Sequence, residues 1–408
     1  MRCLAGVPFG MIRYVAGLAG GAAMAVARMM VLGVVLAILP AMTLVGAPAL
    51  GAELAEDSGD VPAGRIASGM ADDFLMSAPS ALDFGGAFPA AGPGSAPAAL
   101  AGDYGFGVLT RPARDTRAKS GGTPGDVGGT GWLLTNDALG DRADRWRSGS
   151  FNLSHAFRME DALTRPAADP MWELRFQAQV IQPDNLTRLD PDDRPYAGVV
   201  SLGLHRHSFL GANDLAIGGD LVMIGPRTEM DDVQSALHDV LGGPQVAPEI
   251  RANQIGNRLR PTAVFEYGRR IVLGGNVTLR PFAEARLGDE ALARLGADLL
   301  IGVPWGGWDD GLPVRDSVTG HRYAVGPGGG SGLSLVLGAD SARVADSVYL
   351  PGTSPGATLE TRRDRLRAGV NYRQGDMAVF YGMTWLGPEF TDQPEPQVLG
   401  SLQLRLRF

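Results

Sequence analysis

Apolar and polar residues alternate with a period of two along most of the chain beyond residue 128. The alternation comes in short segments that clusters of Gly, Pro, Asp and Asn separate. In the last segment, Leu402, Leu404 and Phe408 fall on one face of a strand, while Gln403 and Arg405 fall on the other. Such segments are typical of strands with one apolar and one polar face. The arginines on many of the polar faces suit a hydrated interior.

The alternation predicts about twelve strands. An even number is what closed single-chain bacterial barrels require, because lipid offers no partner for an unpaired strand edge. The expected fold is all-β, a closed antiparallel transmembrane β-barrel with a short helix in one loop. A soluble all-β sandwich would show the same alternation and remains an alternative. The predicted strands span residues 129–137, 147–160, 171–182, 194–209, 213–225, 259–272, 276–288, 293–304, 331–350, 361–373, 376–386 and 397–408.

One segment follows a helical period instead. Thr228 is predicted to cap a helix over Met230–Leu241, with Asp231 at the third position after the cap. Gln234 and His238 lie four residues apart, so they point the same way from the flank of the apolar stripe. The apolar stripe itself consists of Val233, Leu237, Val240 and Leu241.

The N-terminus is predicted to be a targeting segment. Basic residues precede an apolar run from Met29 to about Ala52, which ends in small residues suited to signal-peptidase cleavage. Residues 1–52 are therefore interpreted as a signal peptide, with a retained transmembrane anchor as the alternative. Residues 53–127 are rich in Ala, Gly and Pro and are predicted to be a disordered linker. The barrel domain is expected to span residues 128–408.

Composition narrows the function classes. With 58 Gly, 28 Pro and 20% charged residues, the chain is neither a helical membrane protein nor a highly charged disordered one. The single cysteine, Cys3, excludes a disulfide framework. The formal net charge of −8 argues against a nucleic-acid partner.

Few residues of the chain are candidates for catalysis. The chain has no Gly-x-Ser-x-Gly elbow, no His-Glu-x-x-His and no phosphate loop. Among five histidines, His238 is the best candidate for a general base, because it lies on the predicted helix with Gln234 one turn earlier. The plain alternative is an exposed helix histidine. Asn136 and Asp137 end the first strand, where such a pair either makes a turn or supplies hard oxygen ligands for calcium.

A set of short motifs in a particular order resembles the outer-membrane lipid A 3′-O-deacylase (LpxR-type) family, over roughly residues 131–408. The motifs are Thr135-Asn136-Asp137, Asp144-Arg145-x-x-Ser148, Asp193-Arg194-Pro195-Tyr196-Ala197-Gly198, Ile224-Gly225-Pro226, Val233-Gln234-x-x-x-His238, Gln254-Ile255-x-Asn257-Arg258 and Glu389-Phe390.

The resemblance implies a twelve-stranded barrel in the Gram-negative outer membrane, with a calcium-dependent esterase site beside a surface-loop helix. Lipid A in lipopolysaccharide would be the substrate. His238 would be the base that activates water, and Asn136 and Asp137 would form the metal and oxyanion region. Ser148 stands where well-known members have threonine, and Gln234 flanks the histidine. The oligomeric state stays open.

Three positions depart from the family pattern. Pro244 replaces a glutamate that follows the histidine by six residues, so a carboxylate partner of His238 is expected elsewhere, with Asp239 and Glu249 as candidates. A tryptophan-containing stretch is replaced by Ile250-Arg251-Ala252, and Gly149 replaces an asparagine.

Two other functions compete with the deacylase. One is a catalytically silent structural or pore-like barrel. The other is a phospholipase-type barrel, which needs a serine and a histidine within hydrogen-bond reach. The candidate pairs for that chemistry are Ser148 with His238, and Ser154 with His155.

Overall fold

The computed structural model of the protein describes residues 129–158, 170–302, 311–326, 331–352, 357–375 and 377–406. The predicted signal peptide and linker lie outside these residues, as does Phe408. Among the described residues, no helix combines the length and apolar content needed to cross a bilayer.

The strands form a closed antiparallel barrel. The strands are β1 (Gly129–Asn136), β2 (Trp146–Arg158), β3 (Met171–Gln182), β4 (Ala197–Leu210), β5 (Asn213–Ile224), β6 (Arg258–Arg269), β7 (Ile271–Gly274), β8 (Val277–Leu287), β9 (Glu290–Gly302), β10 (Leu312–Arg315), β11 (Arg322–Val325), β12 (Gly332–Ser347), β13 (Arg362–Gln374), β14 (Met377–Leu386) and β15 (Gln397–Leu406). The first and last strands, β1 and β15, pair with each other, and the pairing of β6 with β8 closes the ring. The twelve strands of the ring are β1–β6, β8, β9 and β12–β15, so the predicted number of barrel strands is confirmed.

Polar side chains fill the interior of the barrel, as the arginine pattern predicts. Asp340, for example, is fully buried and is surrounded by the guanidinium groups of Arg294, Arg365 and Arg367. Each buried charge needs a partner, and such clusters supply it. The outward positions carry the exposed apolar side chains, among them Ile217 on β5 and Phe265 on β6. The two faces of the alternation therefore separate interior from outer wall.

The alternation predicted no strand between residues 304 and 331, but the structure has two in this segment. Its strands β10 and β11 form a hairpin that fills part of the interior. The buried Tyr323 hydroxyl hydrogen-bonds the Ser154 hydroxyl of β2 at 2.7 Å, and Asn152 donates to Asp316 at 3.0 Å. Four-residue strands buried on both sides show no alternation, so the pattern could not reveal them.

Helix α1 spans Met230–Leu241, as predicted, and a short helix α2 follows at Pro248–Ala252. The predicted cap is different. Thr228 donates its hydroxyl to the Gly225 carbonyl at 2.8 Å, and Glu229, in a left-handed conformation with φ 56°, occupies the cap position instead. Both helices lie between β5 and β6, at the rim where β1, β3 and β5 end. We call this end of the barrel the site rim.

Candidate active site

Asn136 lies on the outer wall at the site rim. Its neighbour Thr135 points inward, where its hydroxyl meets Ser401 at 2.8 Å, so the alternation directs Asn136 outward. The Asn136 side chain accepts a hydrogen bond from the Ala138 backbone at 2.8 Å and donates to the Ser148 carbonyl at 3.0 Å. Asn136 thus joins the end of β1 to the start of β2.

Gly149, where the family has asparagine, leaves room for this bridge. It pairs directly with Asn136, and a Cβ at this position would lie 2.9 Å from the Asn136 amide nitrogen. A side chain here would push the Asn136 amide aside.

Asp137 is a buried carboxyl with an unused oxygen. The residue is 2% exposed, and its Oδ2 has no hydrogen-bond partner. Burial, followed by the nearby Asp144 carboxylate, raises the pKa of Asp137 to about 8, although the Ala138 N–H and the Ser148 hydroxyl act in the opposite direction. A buried carboxylate without a cation is costly, so this site favours a bound positive charge.

The loop from β1 to β2 is conformationally strained. Within the described residues, four that are not glycine have positive φ: Arg142 and Asp144 in this loop, Trp146 where β2 begins, and Glu229 at the start of α1. Such conformations cost about 1–3 kcal/mol each and persist where surrounding contacts enforce them. Both strained segments border the same site.

Asp144 lies at the centre of that site. Ser148 Oγ donates to its carboxylate at 3.0 Å, and Gln182 Nε2 donates to the same oxygen at 3.1 Å and to the Asp144 carbonyl at 2.6 Å. His238 Nε2 lies 3.6 Å from the other carboxylate oxygen. The sequence pattern missed Asp144 and Gln182 as site residues, although Asp144 opens one of the motifs.

Helix α1 packs on the outer wall over β4 and β3, and its last turn reaches the β1–β2 loop. At its first turn, Met230 packs closely on Gly198 of β4, where any Cβ would collide with it. In the middle, Gln234 accepts a hydrogen bond from the Tyr196 hydroxyl at 3.0 Å and donates to Gln182 at the end of β3. At its last turn, His238 reaches Asp144. The helix therefore covers the site from outside the barrel.

His238 is oriented by the backbone. Its Nδ1 donates to the Pro244 carbonyl at 2.5 Å, which leaves Nε2 free to face Asp144. The position that holds glutamate in the family thus still supplies an acceptor, through its main chain. The expected carboxylate partners lie elsewhere, since Asp239 accepts from Gln245 at 2.7 Å and Glu249 from the Leu189 backbone at 3.0 Å.

Arg251, in the stretch that departs from the family, holds α1 in place. It donates to Asp231 at 2.6 Å, to Asp232 at 2.8 Å and to the Ser235 hydroxyl at 2.8 Å. Arg251→Met should remove these bonds and loosen the first turns of α1. We expect faster amide hydrogen exchange across residues 230–241 in this variant. Arg227→Met is the control, and equal exchange in both variants would contradict this role.

Arg194 and Glu389, which belong to two other motifs, form a buried ion pair between two loops. Arg194 is buried and donates to Glu389 at 2.5 Å, and Arg147 donates to the same carboxylate at 3.0 Å. Burial alone would raise the pKa of Glu389, but the guanidinium groups of Arg147, Arg363 and Arg194 hold it well below its usual range. This motif ties the β3–β4 loop to the β14–β15 loop.

The remaining histidines are engaged elsewhere. His205 and His207 face the interior, each 2.8 Å from a carboxylate, of Asp220 and Glu173 respectively. His155 points outward to Thr130, at 3.1 Å. His321 on the interior hairpin is buried and 3.3 Å from the Met383 carbonyl.

The predicted residues Asn136, Asp137, Ser148, Gln234 and His238 all converge on Asp144 and its neighbours. Within the described part of the chain, no group of three or more His, Cys, Asp or Glu side chains forms a ready metal cage. The free oxygen of Asp137, with the Asp144 carboxylate nearby, nevertheless fits a calcium ion, which accepts carboxylate, hydroxyl and carbonyl oxygens. Asn136 is already committed to the Ala138 N–H, so Asp137 offers the better of the two predicted ligands.

Comparison with known proteins matches the chain to one family. The model of the family described as "Outer membrane protein LpxR" matches residues 108–408, beginning inside the predicted linker. LpxR from Salmonella typhimurium superimposes with a TM-score of 0.56 at 18% identity, covering 68% of this chain and 99% of that one. This likeness shows a shared barrel fold. No curated protein matches the chain significantly.

Two other barrels align less well. The β domain of the Bordetella autotransporter BrkA gives a TM-score of 0.33 at 11% identity and covers 69% of this chain and 100% of that one. The KdgM porin gives 0.31 at 6% identity and covers 69% and 99%.

Proposed function

The chain belongs to the LpxR family of outer membrane proteins, and from this premise we propose that it removes an ester-linked acyl chain from lipid A. The observation that carries the proposal is the position of the site. His238, Asp144 and Ser148 meet at the outer wall of an outer-membrane barrel, under a helix, with the buried Asp137 beside Asp144 and Ser148. A lipid in the surrounding leaflet can reach that wall without entering the interior.

His238 is the general base in this proposal. Because Nδ1 donates to the Pro244 carbonyl, Nε2 holds the lone pair that takes a proton from an attacking water. Asp144, 3.6 Å from Nε2, stabilises the imidazolium that results. Gln234 and Gln182 fix the helix and Asp144 relative to each other.

Asp137 and Asp144 would hold calcium, with the Ser148 hydroxyl beside both. When bound, the cation supplies a positive charge that polarises the ester carbonyl and stabilises the developing oxyanion. Asn136 holds the start of β2 so that the Ser148 hydroxyl stays between the two carboxylates.

Substrate choice tests the proposal. Purified barrel in detergent with calcium should release fatty acid from lipid A, and a calcium chelator should stop the release. Under the same conditions phosphatidylethanolamine should stay intact. Release from the phospholipid and not from lipid A would contradict the proposal.

The phospholipase alternative lacks support in the geometry. Ser148 donates its hydroxyl proton to the Asp144 carboxylate and not to His238. Ser154 faces the interior, where it donates to Glu173 at 2.6 Å, while the adjacent His155 faces outward. Neither serine has a histidine to accept its proton.

The pore alternative predicts ion conduction, and the interior argues against it. The β10–β11 hairpin is tied to the wall by the ion pair of Arg315 with Asp298, at 2.7 Å, and by Gln403, which donates to the Ala324 carbonyl at 2.8 Å. In planar bilayers we expect no steady conductance from the wild-type protein. The variant Arg315→Ala with Gln403→Ala should open channels, and open channels in the wild type would favour the pore.

A further inference from the structure

The apolar stripe of α1 extends beyond the wall that it packs against. Val233, near the first turn, is 7% exposed and lies in the cluster formed with the outward side chains of β2 and β3. Leu237 packs on the edge of the same cluster. Val240 and Leu241, one turn later, are 60% and 54% exposed. The end of the helix that carries His238 therefore presents two unpartnered aliphatic side chains.

The exposed end continues the apolar outer wall. Val200 of β4 packs against the helix cluster, and on the outer face it pairs with Met223, which pairs in turn with the 59% exposed Leu259. In an outer-membrane barrel, this wall is the surface that contacts lipid acyl chains. Val240 and Leu241 thus extend an established lipid-facing surface onto the loop helix.

The orientation of the helix suits this contact. Because successive turns of α1 contact β4, the end of β3 and the β1–β2 loop, the helix lies across the strands, roughly along the membrane plane rather than through it. A helix lying this way with one apolar face buries that face among acyl chains and keeps its polar face in water. Asp239, in the same turn as Val240, is exposed on the opposite side from Leu241.

We propose that Val240 and Leu241 form a lipid-inserting edge, which holds the acyl chains of outer-leaflet lipid beside His238. The occupant is lipid rather than a second copy of the chain or a soluble partner. The edge deepens the proposed function, because the His238 imidazole is then presented at the depth where an ester joins the headgroup to its acyl chains. It rests on that function only for the identity of the lipid that is cleaved.

Fluorescence quenching tests the edge without any catalysis. In the full chain with Cys3→Ser, single cysteines Val240→Cys, Leu241→Cys and the control Asp239→Cys would carry an environment-sensitive nitrobenzoxadiazole label. The proteins would be placed in dioleoylphosphatidylcholine vesicles that contain nitroxide on the acyl chains of some lipids. We expect labels at 240 and 241 to be quenched about twofold more by the nitroxide lipid than by aqueous iodide, and the label at 239 to show the reverse.

Two outcomes would overturn the edge. Iodide quenching at 240 and 241 as strong as at 239 would place the edge in water. Protection of the two labels from both quenchers would mean that protein covers them, as in a dimer. Since neither reading needs hydrolysis, loss of the edge and loss of the deacylase function are distinguishable.

A kinetic measurement tests the lipid-inserting edge with unlabelled variants, in case the labelled proteins fold poorly. Val240→Asn with Leu241→Asn should raise the KM for bilayer-embedded lipid A about tenfold with little change in kcat, because aliphatic contact with the leaflet is lost. The conservative double variant Val240→Ile with Leu241→Ile should keep the wild-type KM. An equal KM in the asparagine variant would contradict the edge.

Discussion

Replacing His238 by alanine is expected to lower kcat for lipid A deacylation by about 10³-fold, within the usual range for loss of a general base. His238 Nε2 is the nitrogen of the described site that has a lone pair for a proton, and it lies 3.6 Å from Asp144. Ser148 donates to Asp144 and not to a histidine. The variant should keep its fold, because the His238 side chain contributes one hydrogen bond, to Pro244 on the surface loop. Initial rates of fatty-acid release measure the loss.

The matched control is His155→Ala. His155 is also outward-facing, and its side chain makes one hydrogen bond, to Thr130, and stacks on Phe157, but it lies near the opposite end of β2. It should retain full activity. Comparable losses in the two variants would mean that histidine removal disturbs the barrel generally, and full activity of His238→Ala would remove the proposed base.

Replacing Asp137 by asparagine should abolish the response to calcium. In the wild type, calcium at a hundred times its Kd should stabilise the fold by about 2.7 kcal/mol, because a ligand that binds the folded state shifts the unfolding equilibrium. In Asp137→Asn the carboxylate that would hold the ion is gone, so calcium should leave Tm unchanged and deacylation should fall to background. Without calcium the variant should be more stable than wild type at neutral pH, because folding no longer has to bury a carboxyl group whose pKa burial raises to about 8.

Asp192→Asn is the control for this prediction. Asp192 lies exposed in the neighbouring β3–β4 loop, so its loss should leave the calcium response intact. Thermal unfolding followed with and without calcium gives the comparison. A wild-type shift in Tm that persists in Asp137→Asn would place the ion elsewhere.

Most of the barrel could be predicted because its strands face two different environments. Along β13, for instance, Arg363, Arg365 and Arg367 point inward while Leu366 and Val370 face outward, and this contrast is visible in the sequence. The interior hairpin offers no such contrast, because Val314 and Tyr323 are buried wherever they point. The cap of α1 was also beyond prediction, since it depends on the left-handed backbone of Glu229.

The site was predictable as a set of residues and not as a network. Asn136, Asp137, Ser148, Gln234 and His238 follow from the motifs that resemble the family. The position of Asp144 in the site depends on the strained backbone of the β1–β2 loop. The contact of Pro244 with His238 is made by a backbone carbonyl, which a pattern of side chains cannot predict. Long-range contacts such as that of Gln182 with Gln234 arise only when α1 packs on the wall.

The most direct test of the account is mass spectrometry of lipid A from Gram-negative cells with and without this protein. The account predicts a species lighter by one ester-linked acyl chain in cells that carry the wild-type protein, and its absence in cells that carry His238→Ala. Identical lipid A in all three, with the wild-type barrel folded in the outer membrane, would contradict it.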